Sequence, residues 1–462
     1  MASEKPSRSS SVSPSGCGTA APARRGLERA LGPFDTTMVV MGGIIGAGIF
    51  INPYVVARQV QRPAEILGAW VIGGMVAMAG SLVYAELGAR MPEAGGQYAY
   101  LREAYRPGIA FLYGWVLLLV VQTGGMAAVA VTFARYEREL APTRLPDAAV
   151  AVLAVGALAA INCLGARAGS AVQSSLMVVK IAAIAALVGC GWLLAGHAAP
   201  APAAPARMPM AEAAAMAAAM APVMFSYGGY QTTNFIAGEV KQPETTLPRA
   251  LALGVGGVTA LYLGVNLVAL RALGSAGLAA TTTPASAVMR LALGSGGARW
   301  LAAAVAVSAL GFLSQSMLTA PRVYYAMARD GIFFRAAGGL SRRGAAPVAA
   351  ILLQGAWTAA IAMSGRYEQI LNYVISMDLL FMGLTATCLF RARFRSGRQA
   401  ARYRMPGHPW VTVIYIAACW LVVIGTVAHD PVHTGIGFGI LAAGVPAYLL
   451  WRRGAAGVAE ER

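Results

Sequence analysis

Two charged side chains lie deep inside apolar segments of this 462-residue chain. Lys180 stands in "SSLMVVKIAAIAAL" and Asp378 in "NYVISMDLLFMGL". Each is about ten residues into its segment, which places it ~15 Å deep along a helix that rises by 1.5 Å per residue. An ionisable group at such depth in a membrane is costly unless it is paired or solvated, so it indicates a function by default. These residue types predict proton transfer or ligand binding.

Lys180 is the more informative of the two charges. The only other lysines are Lys5 and Lys241, whereas arginines are many, so a general demand for positive charge would have been met by arginine. Burial disfavours the charged form of an amine, which allows a buried lysine to lose and regain a proton. The alternative is a structural lysine that snorkels or is held by backbone carbonyls of the first span. Asp378 leaves three roles open: a proton shuttle, a contact with a polar substrate group, or a cap on a broken helix end.

Glycines interrupt two apolar segments that lie far apart in the chain. The stretch "GGIIGAGIF" (42–50) lies in the first, and "MFSYGGYQTTNF" (224–235) lies in another. Each interior glycine weakens a helix by ~1 kcal/mol relative to alanine. Close helix packing of the GxxxG type is one explanation, and Gly42 and Gly46 have that spacing. Two interruptions at corresponding places favour the other explanation, in which broken helices expose backbone groups to a binding cavity.

The segments that position these residues are typical of a polytopic membrane protein. The chain is 58% hydrophobic and 12% charged, with a mean hydropathy of +0.61, whereas a soluble chain is nearer 25% charged. Apolar segments of about 20 residues, the length that crosses a bilayer, recur along it. The expected spans, about twelve in number, lie at 34–57, 64–88, 107–134, 147–164, 171–196, 213–238, 247–271, 300–328, 346–363, 368–390, 409–427 and 433–451.

Charge sets the expected orientation. The chain has 36 Lys and Arg residues and a formal net charge of +17. With the Ser/Pro/Gly-rich N-terminal tail placed inside, most basic residues fall in loops and tails on the inner side, which fits the positive-inside rule. Both termini are therefore expected in the cytoplasm and the protein in the cell inner (plasma) membrane. The basic charge is thus a topology signal and does not indicate nucleic-acid binding.

The two interruptions fall at matching places in two sets of five spans. Because five is odd, the second set must enter the membrane in the opposite direction, which makes an inverted repeat with two further spans appended. The expected organisation is a disordered cytoplasmic tail at 1–32, a first repeat (spans 1–5) at 33–200, a second repeat (spans 6–10) at 201–395, spans 11 and 12 at 396–452, and a cytoplasmic tail at 453–462.

Four ordered stretches resemble the amino acid–polyamine–organocation (APC) superfamily, most of all its branch of L-type amino-acid transporters and bacterial amino-acid exchangers. They are "GGIIGAGIFINP", "AELGARMPEAGGQYAYLREAY", "FSYGGYQTTNFIAGEVKQPETTLPRAL" and "RVYYAMARDGIF". The likeness runs from about residue 34 to 452 with the family's spacing. It implies an all-α membrane protein of the LeuT type, with a 5+5 inverted repeat, two extra helices, and spans 1 and 6 unwound at mid-membrane. It also implies secondary transport of amino acids or amines.

The breaks and the resemblance together imply where a zwitterion binds. The half-helix after the first break presents free amides at its positive end, so a carboxylate is expected on Ala47, Gly48 and Ile49. An ammonium has three donors and suits the carbonyls exposed at both breaks. The family often has serine where this chain has Ala47, which leaves carboxylate binding to the backbone. The expected substrate-binding residues are Ile44, Gly46, Ala47, Gly48, Ile49, Thr123, Phe225, Ser226, Tyr227, Gly228 and Phe312, with Phe225 also as the outer gate.

Coupling and gating follow from the remaining charges. In proton-coupled and sodium-independent relatives a lysine on the helix of Lys180 occupies the place of a sodium ion, so Lys180 and Asp378 are the expected coupling residues. Charges near the expected cytoplasmic ends of spans 2, 6 and 8 form either an inner gate of ion pairs or solvated helix ends. These are Glu86, Glu239, Arg322 and Arg329.

The expected function is secondary active transport of amino acids by alternating access, sodium-independent, as proton symport or amino-acid exchange. A polyamine or cationic-amine carrier is the alternative within transport, and a channel or receptor is the rival outside it. No nucleophile–base pair, phosphate-cradling loop or metal-ligand spacing suggests an enzyme, and no cofactor or metal is expected. The expected partners are an amino-acid substrate, a proton or counter-substrate, and the bilayer. No obligatory protein partner is expected, because no cysteine suits a disulfide to one.

Overall fold

The computed structural model describes residues 27–141, 144–197, 209–341, 346–364, 367–396, 402–429 and 431–460, and helices make up almost all of them. Most of the expected N-terminal tail lies outside the described residues. The α-helices are α1 Pro33–Ile44, α2 Gly48–Gln59, α3 Pro63–Arg90, α4 Gln97–Ala104, α5 Pro107–Val116, α6 Gln122–Leu140, α7 Asp147–Cys163, α8 Ala166–Leu194, α9 Pro209–Tyr227, α10 Pro243–Ala280, α11 Pro284–Leu293, α12 Ser295–Thr319, α13 Pro321–Arg329, α14 Val348–Met363, α15 Tyr367–Ser396, α16 Trp410–His429 and α17 Pro431–Glu460.

Three short segments depart from α-helix. A π-helical turn at Leu117–Val121 joins α5 to α6, and 3₁₀ helices run over Tyr230–Glu239 and Arg335–Gly338. A π turn inserts an extra residue into a helix and rotates the side chains that follow it. The π turn and the first 3₁₀ helix both border the cavity described below.

Within the described part of the chain, eight helices are long and apolar enough to cross a membrane, or nine if the bent pair α1–α2 counts as one span. In this count α5 continues through the π turn into α6, and α12 continues into α13. Two of the other expected spans, α7 and α14, are apolar helices of only 17 and 16 residues, shorter than the ~20 residues that cross a bilayer at right angles. The described part of the chain is therefore helical and holds eight or more helices of membrane-crossing length and apolarity.

Two groups of helices enclose the centre of the molecule. In one group α10 packs along α3 and α1, and α2 packs against α9. In the other, α12 packs against α6 and α8, and α14 against α6 and α7. Helix α1, the first helix of the bent pair, also contacts α8 and α12, so it lies between the two groups. The helices α15, α16 and α17 pack together beside them.

The first glycine-rich stretch breaks a helix, as the sequence predicts. Helix α1 ends at Ile44 and α2 begins at Gly48, with an angle of 42° between them. Ile45 has extended backbone angles, φ −77° and ψ 95°, which no helical residue adopts. Polar backbone groups that are normally paired within a helix are therefore freed at this point.

The second glycine-rich stretch breaks a helix in the same manner. Helix α9 ends at Tyr227, and a 3₁₀ helix begins at Tyr230. Between them Gly229 has φ +107°, a left-handed conformation that residues with a side chain rarely adopt. A Cβ at Gly229 would collide with the carbonyl oxygen of Gly43, and one at Gly43 would lie 2.6 Å from the carbonyl oxygen of Gly229. The two breaks thus touch backbone to backbone, and only glycine permits the approach.

Candidate functional site

A cavity of about 310 Å³ lies between the two breaks. Its walls are completed by the π turn and α6 on one side, α12 on another, and α15 on a third. This volume is at the lower end of the range for small-molecule sites. The break residues that line it are Gly43, Ile44, Gly46, Ala47, Gly48, Phe225, Ser226, Gly228 and Gly229.

The first break presents amides to the cavity. Ala47 and Gly48 both line it, and with Ile49 they form the start of α2. The first amides of a helix have no acceptor within that helix, and they lie at its positive end. An anionic group in the cavity would find donors here without any basic side chain. The side chain of Ile49 is fully buried and does not line the cavity, so this residue can contribute only its backbone.

Carbonyl groups of the two breaks converge on a tyrosine that the sequence analysis missed. The buried hydroxyl of Tyr262, on α10, lies 3.2 Å from the carbonyl oxygen of Ile44 and 3.1 Å from that of Ser226. One hydroxyl hydrogen cannot satisfy two carbonyls fully, and each carbonyl has two lone pairs. Ile44 and Ser226 therefore each keep a lone pair available, one carbonyl on each broken helix, as an ammonium requires. The carbonyl of Phe225 accepts from the amide of Gly228 at 3.3 Å.

Lys180 lies behind the first break and does not line the cavity. Its side chain is fully buried on α8, and Nζ donates to the carbonyl oxygen of Ile45 at 2.5 Å. A Cβ at Gly311, on α12, would be 3.1 Å from this nitrogen, so the glycine leaves room for it. No carboxylate of the described residues forms an ion pair with Lys180. The ammonium therefore binds the freed backbone of the break itself.

Asp378 lines the cavity from α15. Its two carboxylate oxygens accept from the Gln231 side-chain amide at 3.3 and 3.2 Å. Oδ2 lies 3.9 Å from where a Cβ of Gly228 would stand, so the carboxylate directly faces the second break. Depth in the sequence indicated Asp378, whereas nothing in the sequence indicated Gln231 as its partner.

Polar side chains tie the two broken helices to each other and to α12. Asn52, on α2, donates to Ser226 Oγ at 2.6 Å and to the carbonyl of Pro222 at 3.1 Å. Gln315 donates to Thr232 Oγ1 at 2.7 Å. Ser308 donates to the carbonyl of Gly46 at 3.2 Å. Sequence reasoning overlooked these residues, because single polar residues in apolar helices give no periodic signal.

The structure brings most of the expected binding residues to the cavity, including Phe225 and Phe312. Phe225 lines the cavity and is 38% exposed. Besides Ile49, two expected residues do not line the cavity. Thr123 is buried, and its hydroxyl donates to Leu118 O at 2.5 Å across the π turn, whose extra residue turns Gln122 to the cavity instead. Tyr227 is buried against Trp70 and donates to its carbonyl at 3.0 Å.

A buried ion pair lies where the 3₁₀ helix after the second break ends. Arg322, on α13, bonds Glu239 through Nε–Oε1 at 2.6 Å and Nη2–Oε2 at 3.2 Å, and the two side chains are 1% and 2% exposed. Beside it Leu31 forms a parallel β-bridge with Val240. The amide of Leu31 donates to Glu239 O at 3.0 Å, and that of Lys241 donates to Leu31 O at 2.9 Å. The segment before α1 is thereby bound to the segment that follows the second break.

The other two expected gate charges do not join this pair. Glu86 is fully buried and pairs with Arg90 at 2.8 Å and Arg393 at 2.5 Å, and it accepts from the amide of Met405 at 2.8 Å. It therefore connects α3 and α15 to the segment before α16. Arg329 is exposed at the end of α13. Of the four expected gate charges, Glu239 and Arg322 are the two that pair with each other.

Comparison with known proteins identifies the class of molecule. A family model described as "Amino acid permease" matches residues 31–445. The chain belongs to this family and, with it, to the APC superfamily. It is a multi-pass membrane transporter of amino acids and not an enzyme.

Curated relatives align along almost the whole chain. Large neutral amino acids transporter small subunit 2 of Rattus norvegicus is 26% identical over 97% of this chain and 85% of its own length. Serine/threonine exchanger SteT of Bacillus subtilis is 28% identical over 92% and 97%. The human cystine/glutamate transporter is 27% identical over 89% and 83%. The three names indicate three different substrates, so similarity at this level defines amino-acid transport without defining the amino acid.

Proposed function

We propose that this protein is a secondary active amino-acid transporter that binds its substrate between the two breaks. The carboxylate of the zwitterion binds the amides of Ala47, Gly48 and Ile49 at the start of α2. The ammonium binds the carbonyls of Ile44 and Ser226. The observation that supports this proposal most is that two broken helices border one cavity with backbone donors on one and backbone acceptors on both. Such pairs of interrupted helices are a hallmark of transporter substrate sites.

Transport proceeds by alternating access in this proposal. The bundle of α1–α2, α3, α9 and α10 rocks against the scaffold of α5–α8 and α12, with the substrate held between them. Twelve spans then arise if α7, α14 and the combination of α9 with its 3₁₀ helix each cross the bilayer. Spans 1–5 and 6–10 form the inverted repeats at 33–200 and 201–395, and the breaks lie at mid-membrane. The packing of α10 on α3 and of α12 on α6 and α8 is consistent with these two bodies.

Coupling in this proposal uses a proton or a counter-moving amino acid and does not use sodium. The ammonium of Lys180 already occupies the space behind the first break and satisfies the carbonyl of Ile45. A buried amine can exchange a proton between transport states, whereas a sodium ion would need that space and those oxygens. Asp378 is the second group that could take part in coupling.

A carrier of polyamines or other cationic amines is the second candidate. One observation favours it: the carboxylate of Asp378 lines the cavity and faces the second break. A polyamine lacks the carboxylate for which the amides of α2 are suited, so amino acids remain the better fit. Competition between amino acids and polyamines for uptake into liposomes separates the two candidates.

Counterflow in proteoliposomes tests the proposed function. The purified chain is reconstituted alone, loaded with each standard amino acid in turn, and assayed with and without a pH gradient and with sodium or potassium outside. We expect saturable, trans-stimulated uptake of a subset of amino acids that is unaffected by sodium. Uptake that does not saturate would indicate a channel. Strict dependence on sodium would contradict the role assigned to Lys180.

The orientation and the absence of an obligatory partner are also proposals. Both termini lie in the cytoplasm of a cell whose inner (plasma) membrane holds the protein, which reporter fusions at each terminus would test. One relative is named as a small subunit, which implies an assembly for that protein. Among the described cysteines of this chain, Cys388 and Cys419 are buried and unsuited to a disulfide with a partner, whereas Cys163 and Cys190 are half-buried. Transport by the purified chain alone would support a self-sufficient carrier.

A further inference from the structure

We infer that the site selects amino acids whose side chain ends in an ammonium or guanidinium group, and that Asp378 is the specificity-determining residue. This inference rests on the proposed function and assigns its substrate class. Three features of the cavity support it: the lone charge in its wall, the position of that charge relative to the breaks, and the apolar surface around it.

The carboxylate of Asp378 lacks a cationic partner. It forms no ion pair with any arginine, lysine or histidine of the described residues, and its hydrogen-bond donor is the neutral amide of Gln231. The residues lining the cavity include no lysine, arginine or histidine. A carboxylate removed from water is stable only if it is paired, hydrogen-bonded on several sides, or protonated. A cation brought by the substrate would supply the missing pair.

The carboxylate lies on α15, whereas the carbonyls assigned to the α-ammonium belong to the two breaks. Ser226 precedes the second break, whereas Gln231, which binds Asp378, follows it. The two carbonyls of Ile44 and Ser226 converge on Tyr262, which does not line the cavity. With the α-ammonium bound there, Asp378 remains available for a second cationic group further along the substrate.

The wall around Asp378 suits an aliphatic stem. Val374, Leu379 and Met382 line the cavity from the same helix, and Leu117 and Val121 line it from the π turn. Long cationic side chains bury their methylene groups on apolar surface while the charged end binds a polar group. An acidic side chain would meet the same apolar wall and a charge of its own sign, with no basic side chain in the lining to offset it.

Counterflow of labelled L-ornithine, L-lysine, L-leucine and L-glutamate tests the inference. We expect the wild-type protein to exchange ornithine and lysine in preference to leucine, and not to exchange glutamate. Asp378→Asn keeps the shape of the side chain but removes its charge. It should lower the ratio of ornithine to leucine uptake by at least about tenfold, the effect of losing one charge-assisted hydrogen bond. Asp147→Asn, which changes a carboxylate of an ion pair with Arg138 away from the cavity, should leave the ratio unchanged.

Each outcome separates the inference from the proposed function. Exchange of leucine without competition from excess ornithine would overturn the inference and leave amino-acid transport intact. No exchange of any amino acid would contradict the proposed function itself. An equal loss of all substrates in a folded Asp378→Asn variant would place Asp378 on the α-ammonium and overturn the inference. The competition experiment uses only wild-type protein, so it decides the matter even if that variant does not fold.

Discussion

At the scale of single residues, Lys180 is notable for what it binds. A fully buried ammonium that donates to the carbonyl of Ile45 joins α8 to the first break through one short contact. The contact agrees both with a lysine that exchanges protons and with one that holds the broken backbone in place. The two roles differ in what happens to coupling when the amine is removed, because a purely structural lysine carries no proton between states.

Lys180→Ala should abolish transport or uncouple it from the pH gradient while substrate binding stays measurable, since Lys180 does not line the cavity. The measurement is uptake into proteoliposomes over a range of external pH, together with equilibrium binding of the substrate. Lys241→Ala is the matched control, because that side chain is exposed and its removal should change neither quantity. A Lys180→Ala variant that transports with the wild-type pH profile would rule out a proton carrier at this position.

At the scale of elements, the two broken helices form one unit. Gly43 and Gly229 bring their backbones together, and Asn52 connects α2 to α9 through Ser226 and Pro222. Lys180 and Ser308 bind carbonyls of the first break from α8 and α12. The broken geometry is therefore supported from several helices, as a strained backbone at a functional site must be.

Gly229→Ala should destabilise the folded protein by about 3 kcal/mol, since the left-handed conformation costs ~1–2 kcal/mol for alanine and overpacking against Gly43 adds ~1–3 kcal/mol. Thermal unfolding in detergent measures the loss, and transport should fall with it. Gly156→Ala, in α7 where an added Cβ meets nothing within 4 Å, should be neutral or slightly stabilising. Equal unfolding temperatures for the two variants would mean that the breaks do not touch as described.

At the scale of the whole molecule, one buried ion pair joins parts of the chain that the proposed mechanism moves relative to each other. Glu239 ends the 3₁₀ helix that follows the second break, and Arg322 lies in the first turn of α13, which follows α12 in the chain. The β-bridge from Leu31 adds the segment before α1 to the same junction. Alternating access would require this junction to open when the substrate leaves on the side of the membrane where the junction lies.

Arg322→Ala should destabilise the protein by about 3–5 kcal/mol, because it leaves the buried carboxylate of Glu239 unpaired. The double variant Arg322→Met with Glu239→Leu should recover most of the stability, since no charge then remains buried without a partner. Thermal unfolding of the single and double variants measures both effects. Arg62→Ala removes an exposed pair with Glu212, 41% and 37% exposed, and should cost no more than ~1 kcal/mol.

These predictions have a transport consequence that distinguishes a gate from a mere structural contact. If the junction is a gate, the double variant should be stable yet leak label from preloaded liposomes faster than the wild-type protein. If the junction only holds the fold together, the double variant should be stable and retain label like the wild-type protein. The leak assay therefore tests whether Glu239 and Arg322 act in alternating access.

The amino-acid sequence by itself determined the features that depend on neighbouring residues. Hydropathy over successive residues defines membrane helices, and glycines at 42–50 and 224–235 weaken a helix wherever it lies, so both breaks could be placed in advance. The depth of Lys180 and Asp378 follows from their distance along a helix. Four ordered stretches were enough to indicate the family.

Only the tertiary structure decided which distant residues meet. Tyr262 between two carbonyls, Gln231 on Asp378 and Asn52 on Ser226 join positions that are far apart in the chain. Thr123 was expected at the cavity, but the π turn before it rotated Gln122 there instead. Glu86 and Glu239 looked equivalent as charges at helix ends, yet they belong to separate ion-pair clusters. Helix rotation and packing set these contacts, and both depend on the whole molecule because each helix is oriented by all of its neighbours.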